Sequence, residues 1–134
     1  LIHLEVTESL YCEQTDLIIQ QVSKAQNLGY KIEMDDFGSG YSSLNTLKDT
    51  FFDILKIDRG FLHDFVGSMR GQRIVEHTIH MSKDIGLDVI AEGVETQAQF
   101  DFLKKIHCDD IQGFYLARPM TAESMRAVIR EEKC

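Results

Sequence analysis

A series of polar residues closes the apolar stretches of this chain: Glu5, then Asp35 and Asp36, Lys56 and Asp58, Glu92 and Glu95, and finally Gln112. Carboxylates are hard oxygen ligands, suited to Mg²⁺ or Mn²⁺, which keep part of their water shell. The five histidines form no ligand-like cluster, and the three cysteines have no metal-finger spacing. Adjacent aspartates are a natural source of one bridging and one terminal ligand in a two-metal site. In a regular strand Asp35 and Asp36 would point to opposite faces, so the chain is expected to turn at Asp36. Gly38 and Gly40 follow at once and make such a turn sterically easy. Taken singly, each residue also has an ordinary reading. Glu5 or Glu8 could be a surface carboxylate, Asp35-Asp36 a turn or helix cap, and Lys56 a solvated strand-end lysine. Gly93 could be a turn glycine or a place where backbone approaches the site.

The elements that must position these residues alternate. Residues 1–6, 30–37, 52–58, 88–94 and 110–115 are short and rich in Ile, Leu, Val and Phe, which predicts strands. Helical periodicity covers residues 16–28, with Gly29 in the C′ place, and residues 72–85, followed by Gly86. Thr96 and Gln99 make a capping-box pattern for a third helix ending near Ile106, and a fourth runs over residues 121–130 after Pro119. Strands alternating with helices predict a parallel sheet with crossover helices. Polar residues at the C-terminal ends of successive parallel strands converge on one rim, where a β/α barrel builds its active site. An open doubly wound sheet would call for a glycine-rich phosphate turn, and the chain has neither GxGxxG nor GxxxxGK[ST]. The expected class is therefore α/β: a partial TIM-like barrel of about five strand-helix units out of the eight a full barrel needs.

Bulk properties narrow the partners. With 134 residues, 22 acidic against 14 basic side chains and a net charge of −8, the chain is not built to bind a nucleic-acid polymer or an anionic membrane. Cys12, Cys108 and Cys134 are odd in number and read as free thiols in a reducing compartment. No apolar run approaches the ~20 residues of a transmembrane helix, so a cytoplasmic location is expected.

Five linked motifs resemble the signatures of the EAL-domain family: Glu5-Val6-Thr7-Glu8-Ser9, the run from Asp35-Asp36-Phe37-Gly38 to Leu44, Lys56-Ile57-Asp58, Ala91-Glu92-Gly93-Val94-Glu95-Thr96, and Gln112-Gly113-Phe114-Tyr115. Members of that family are bacterial phosphodiesterases that open cyclic di-GMP to linear pGpG. The resemblance runs in order along residues 1–134, read as the C-terminal part of a single EAL-type domain. It implies that Glu5 and Asp35 ligate one Mg²⁺ or Mn²⁺, and that Asp35 bridges to a second held with Asp36 and Glu92. It further implies that Lys56 meets the attacking water or the phosphate, with Glu95 and Gln112 completing the catalytic and metal-water network. Asp58 would position Lys56 or a water, and Glu8 would anchor the loop over residues 37–44. Ser39 stands where threonine is commoner, and Phe114 where tyrosine is common; both changes are conservative.

Two ligands implied by the resemblance have no counterpart here. The glutamate of the Glu-Ala-Leu motif and an asparagine on the next strand would both precede Leu1, and the chain opens directly in a strand without Met. A piece missing at the N-terminus is expected. The chain alone should turn over little or no cyclic di-GMP, because one metal loses two ligands. An open barrel exposes strand edges, so a homodimer or higher oligomer is expected. A regulatory or sensory domain is expected upstream. The alternative is a non-catalytic module of the same family that binds cyclic di-GMP or a protein; a different carboxylate-metal barrel hydrolase is the third.

Overall fold

The computed structural model describes residues 2–13, 15–38, 47–48 and 52–131. Within them run β1 (His3–Thr7), α1 (Glu8–Glu13), α2 (Thr15–Asn27), β2 (Lys31–Phe37), β3 (Ile54–Ile57), α3 (Arg59–Val66), α4 (Met69–Asp84), β4 (Asp88–Ala91), α5 (Gln97–Lys105), β5 (Asp110–Ile111) and α6 (Ala122–Glu131). The strands form one sheet in the order β1-β2-β3-β4-β5. Each neighbouring pair is parallel. This is the α/β arrangement the alternating pattern predicts.

Strand residues alternate between two environments, as a period of two requires. Ile32, Met34, Leu55, Ile57, Val89 and Ala91 are buried in the core beneath the helices. One core cluster joins Val22 of α2 and Tyr11 of α1 to Ile32, Met34 and Leu55. The other joins Val75 and Ile79 of α4 and Leu103 of α5 to Ile57, Val89 and Ala91. Each Val, Leu, Ile or Met side chain among them contributes about 1.5–3 kcal/mol when fully buried. The residues between them, Glu33, Asp35 and Lys56, face the opposite side, where Asp35 pairs with Lys56 and Glu33 with His3.

Three of the helix-to-strand turns are built alike. After α2, Gly29 N–H donates to Gln26 O and Tyr30 N–H to Ala25 O. After α4, Gly86 donates to Lys83 O and Leu87 to Ser82 O; after α5, His107 donates to Lys104 O and Cys108 to Leu103 O. The middle residue of each is left-handed, with φ of 89° at Gly29 and Gly86 and 58° at His107. These are Schellman endings, which satisfy the last carbonyls of the helix.

Several boundaries differ from the sequence expectation. Helices α1 and α3 had no predicted counterpart: both are short, and α3 is launched by Asp58, whose Oδ1 accepts from Gly60 N–H at 2.7 Å. Helix α4 begins at Met69 rather than at residue 72, because Ser68 caps it through Gly71 N–H. β4 stops at Ala91 and not at residue 94, since Gly93 takes a left-handed φ of 66°. β5 is two residues long, and the chain turns from Gly113 to Leu116. The turn expected at Asp36 takes the form of a left-handed residue, φ 59°, inside β2, where the register against β3 shifts between Met34 and Phe37. Asp tolerates that region better than most residues. The bulge also returns Phe37 to the core side.

Candidate active site

The C-terminal ends of β1, β2, β3 and β4 bring one ammonium among three carboxylates. Lys56 Nζ lies 2.8 Å from Glu5 Oε1, 3.0 Å from Asp35 Oδ1 and 2.9 Å from Glu92 Oε1. The Lys56 side chain is only 9% exposed, between the fully buried Leu55 and Ile57. Burial pulls the ammonium pKa down, but hydrogen bonds to Glu5, Glu92 and Asp35 outweigh it and hold the group above the ordinary lysine value. Lys56 therefore carries its positive charge at neutral pH.

Asp36 stands beside this group. Burial, then the charges of Asp35, Asp58 and Glu5, push its carboxyl above the usual range, while Lys56 opposes the shift. The rim therefore crowds more negative charge than its lysine balances. Among the described residues no closed metal shell of three His, Cys, Asp or Glu side chains is formed; Glu5, Asp35 and Glu92 converge on Lys56 instead. Their chemistry nonetheless fits a hard divalent cation, because every donor is a carboxylate oxygen and the charge is in surplus.

The remaining expected residues lie around this centre. Glu8, on α1, is buried to 3% exposure, and neither of its carboxylate oxygens has a hydrogen-bond partner among the described residues. The loop it was expected to anchor lies, from Ser39 to Leu44, outside the described residues. Asp58 caps α3 through Gly60 and adds to the field at Asp36. Gln112 is tied by its backbone, donating to Ala91 O at 2.8 Å and accepting from Val94 N–H at 3.1 Å, and its side chain is exposed. Glu95 does not reach the lysine; it pairs with Arg59 Nη2 at 3.1 Å. A second polar layer lies below Glu5 and Asp35, where His3 Nδ1 is 2.5 Å from Glu33 Oε1 across β1 and β2. Neither Arg59 nor Glu33 was singled out from the sequence. His3 precedes Glu5 by two and Glu33 precedes Asp35 by two, so strand alternation is the signal that places both on the carboxylate face.

Residues 1–119 match the family model described as EAL domain. The chain belongs to the EAL domain family. Among its relatives, the cyclic di-GMP phosphodiesterase NbdA of Pseudomonas aeruginosa is 38% identical over 129 residues, which is 96% of this chain and 16% of that protein. The bifunctional diguanylate cyclase/cyclic di-GMP phosphodiesterase MucR of the same organism is 40% identical over 126 residues, 94% of this chain and 18% of that one. The chain thus spans less than a fifth of these relatives. The solved MucR phosphodiesterase in complex with c-di-GMP superposes with a TM-score of 0.82 at 41% identity, over 91% of this chain and 49% of that chain. The EAL domain of Mycobacterium smegmatis DcpA gives 0.85 at 34% identity, over 96% and 57%. The EAL chain therefore corresponds to about half of each solved domain, in keeping with a partial barrel. No helix among the described residues is long and apolar enough to cross a membrane.

Proposed function

We propose that this EAL chain supplies most of the active site for metal-dependent hydrolysis of cyclic di-GMP to linear pGpG, within a complete EAL domain. The observation that carries the reading is the Lys56 ammonium of β3 held within 3.0 Å of carboxylates from β1, β2 and the end of β4. A phosphodiester is anionic, so its hydrolysis needs concentrated positive charge and an activated water. Glu5, Asp35, Asp36 and Glu92 are the side chains that would hold Mg²⁺ or Mn²⁺ in a two-metal site. Such cations, when bound, lower the pKa of a coordinated water and neutralise charge on the phosphate. Lys56 keeps its proton and offers a permanent cation to a phosphate oxygen or to the attacking water. Glu95 and Gln112 complete the network from the β4 and β5 rims, Asp58 supports Lys56, and Glu8 anchors the loop after β2.

On this reading the chain works in the cytoplasm, beside a regulatory or sensory domain and as a homodimer or higher oligomer. The greater length of its relatives supports the neighbouring domain. The test is Glu92→Ala in the complete domain, which should lower cyclic di-GMP turnover by about 10²-fold or more. Full activity in that variant would overturn the assignment. Calorimetry with cyclic di-GMP, with and without Mg²⁺, separates the binding-module alternative: tight metal-independent binding without turnover favours the module.

A further inference from the structure

The β4 rim carries a left-handed glycine with a specific neighbour. A Cβ built on Gly93 would lie 2.5 Å from Arg59 Cβ, 2.6 Å from its Cγ and 2.9 Å from its Cδ. The space a side chain would need at residue 93 is thus filled by the aliphatic stem of Arg59. That stem lies along the rim, and its guanidinium reaches Glu95 Oε1 at 3.1 Å. The geometry points to Arg59 as the positioning residue for Glu95, with Gly93 present to admit the arginine.

Both ends of this contact are fixed independently. Arg59 opens α3, one residue after Asp58, which caps the helix through Gly60 N–H at 2.7 Å. A Cβ at Gly60 would meet Asp58 Oδ1 at 2.8 Å, so a side chain there would have to displace the capping carboxylate. At the other end, Glu95 N–H donates to Gln99 Oε1 at 2.9 Å, and Thr96 with Gln99 forms a full capping box on α5. The two helix starts therefore hold both backbones still. The side chain of Glu95, 40% exposed, is the free part, and Arg59 is what holds it. An exposed ion pair of this kind adds little to stability. Its use is to restrict where Glu95 can go at the mouth of a site in which small displacements cost large factors in rate.

Asp58 gives the arrangement a second connection. It follows Lys56 by two on the same segment, so the strand that delivers the buried lysine also launches the arginine. One short run, Lys56 to Arg59, thereby sets a cation inside the carboxylate cluster and another at its edge. The inference rests on the proposed role of Glu95 in phosphodiester hydrolysis.

The experiment compares Arg59→Met, Arg59→Lys and Glu95→Gln, with the Arg59→Met/Glu95→Gln double variant, in the complete EAL domain with cyclic di-GMP and Mg²⁺. Arg59→Met should lower kcat about tenfold with KM within about twofold of wild type, and Arg59→Lys should recover part of the loss. The double variant should be no slower than Glu95→Gln alone, because the arginine acts through the glutamate. Wild-type kcat in Arg59→Met, or fully multiplicative losses in the double variant, would overturn the inference while leaving the hydrolase reading intact. If the wild-type domain hydrolyses nothing, that reading fails first, and a crystal structure of Arg59→Met decides this one. Glu95 displaced from its place supports the positioning role; Glu95 unmoved refutes it.

Discussion

Asp53 and Asp109 hold equivalent places on different strands. Asp53 lies one residue before β3 and accepts from Ile32 N–H, the second residue of β2, at 2.8 Å. Asp109 lies one residue before β5 and accepts from Val89 N–H, the second residue of β4, at 3.0 Å. Each is braced from a helix: Gln26 of α2 donates to Asp53 at 3.2 Å, and Lys83 of α4 reaches Asp109 at 2.6 Å. The site occupies the opposite ends of the strands, so these aspartates stitch the sheet without touching it. Asp53→Ala and Asp109→Ala should each cost about 1–3 kcal/mol, because a backbone N–H loses its acceptor. Asn at either position keeps an acceptor oxygen and should recover much of the loss. Urea unfolding of the complete domain reads this directly, and unchanged midpoints in the Ala variants would show that these aspartates do not stitch the sheet.

Lys56 should govern the alkaline limb of stability. Its folded-state pKa is raised above the unfolded value of about 10.4. A cation whose pKa is raised by folding stabilises fully below the unfolded value and loses that contribution as pH rises through the folded one. The stability difference between wild type and Lys56→Met should thus be constant from about pH 7 to pH 9.5 and shrink above about pH 10.5. Removing the ammonium leaves the part-buried carboxylates of Asp35 and Glu92 without their cation, at a cost of about 3 kcal/mol on the flat part. A difference that varied across neutral pH would show that another group titrates in the cluster.

The alternation of strands and helices was legible because parallel strands buried on the helix side leave runs of Ile, Leu and Val, and Gly29 and Gly86 mark helix ends. Glu5, Asp35, Lys56 and Glu92 could be grouped because each closes an apolar stretch, and parallel strands bring such ends to one rim. What was hidden depends on side chains crossing between elements. Arg59 follows Asp58 in an unremarkable helix start, and only the packing over Gly93 reveals its partner. His107 stands where the other two equivalent helix endings have glycine, so the left-handed turn after Ile106 carries no glycine to mark it. The short helices α1 and α3 lack enough turns to show a period.

Cys108 should be a slow thiol. Burial, reinforced by the Asp109 charge, pushes its pKa up to about 11, and its Sγ lies 3.3 Å from Asp110 O and 3.5 Å from Val89 O. Thiolate is the reactive form, so at pH 8 its population is far below that of an unperturbed cysteine with a pKa of about 8.5. Peptide mass spectrometry after brief iodoacetamide treatment should find Cys108 largely unmodified in the native protein and alkylated in urea. Fast native alkylation would mean that the thiol is neither buried nor protonated as described.

His107 offers a stabilising change that touches no part of the site. It holds φ 58° at the position where the endings of α2 and α4 have glycine at 89°. A non-glycine residue in that region costs about 1–2 kcal/mol, and glycine returns part of the relief as extra entropy in the unfolded chain. His107→Gly should therefore raise stability by about 0.5–1 kcal/mol. The His107 carbonyl accepts from Lys83 Nζ at 2.8 Å, and a backbone acceptor survives the substitution. Gly86→Ala is the matched reverse experiment. A Cβ there would meet nothing within 4 Å, so any loss reports the backbone conformation alone. Opposite shifts of about 1 kcal/mol in urea unfolding are expected; a His107→Gly variant less stable than wild type would show that its side chain contributes more than its backbone strain costs.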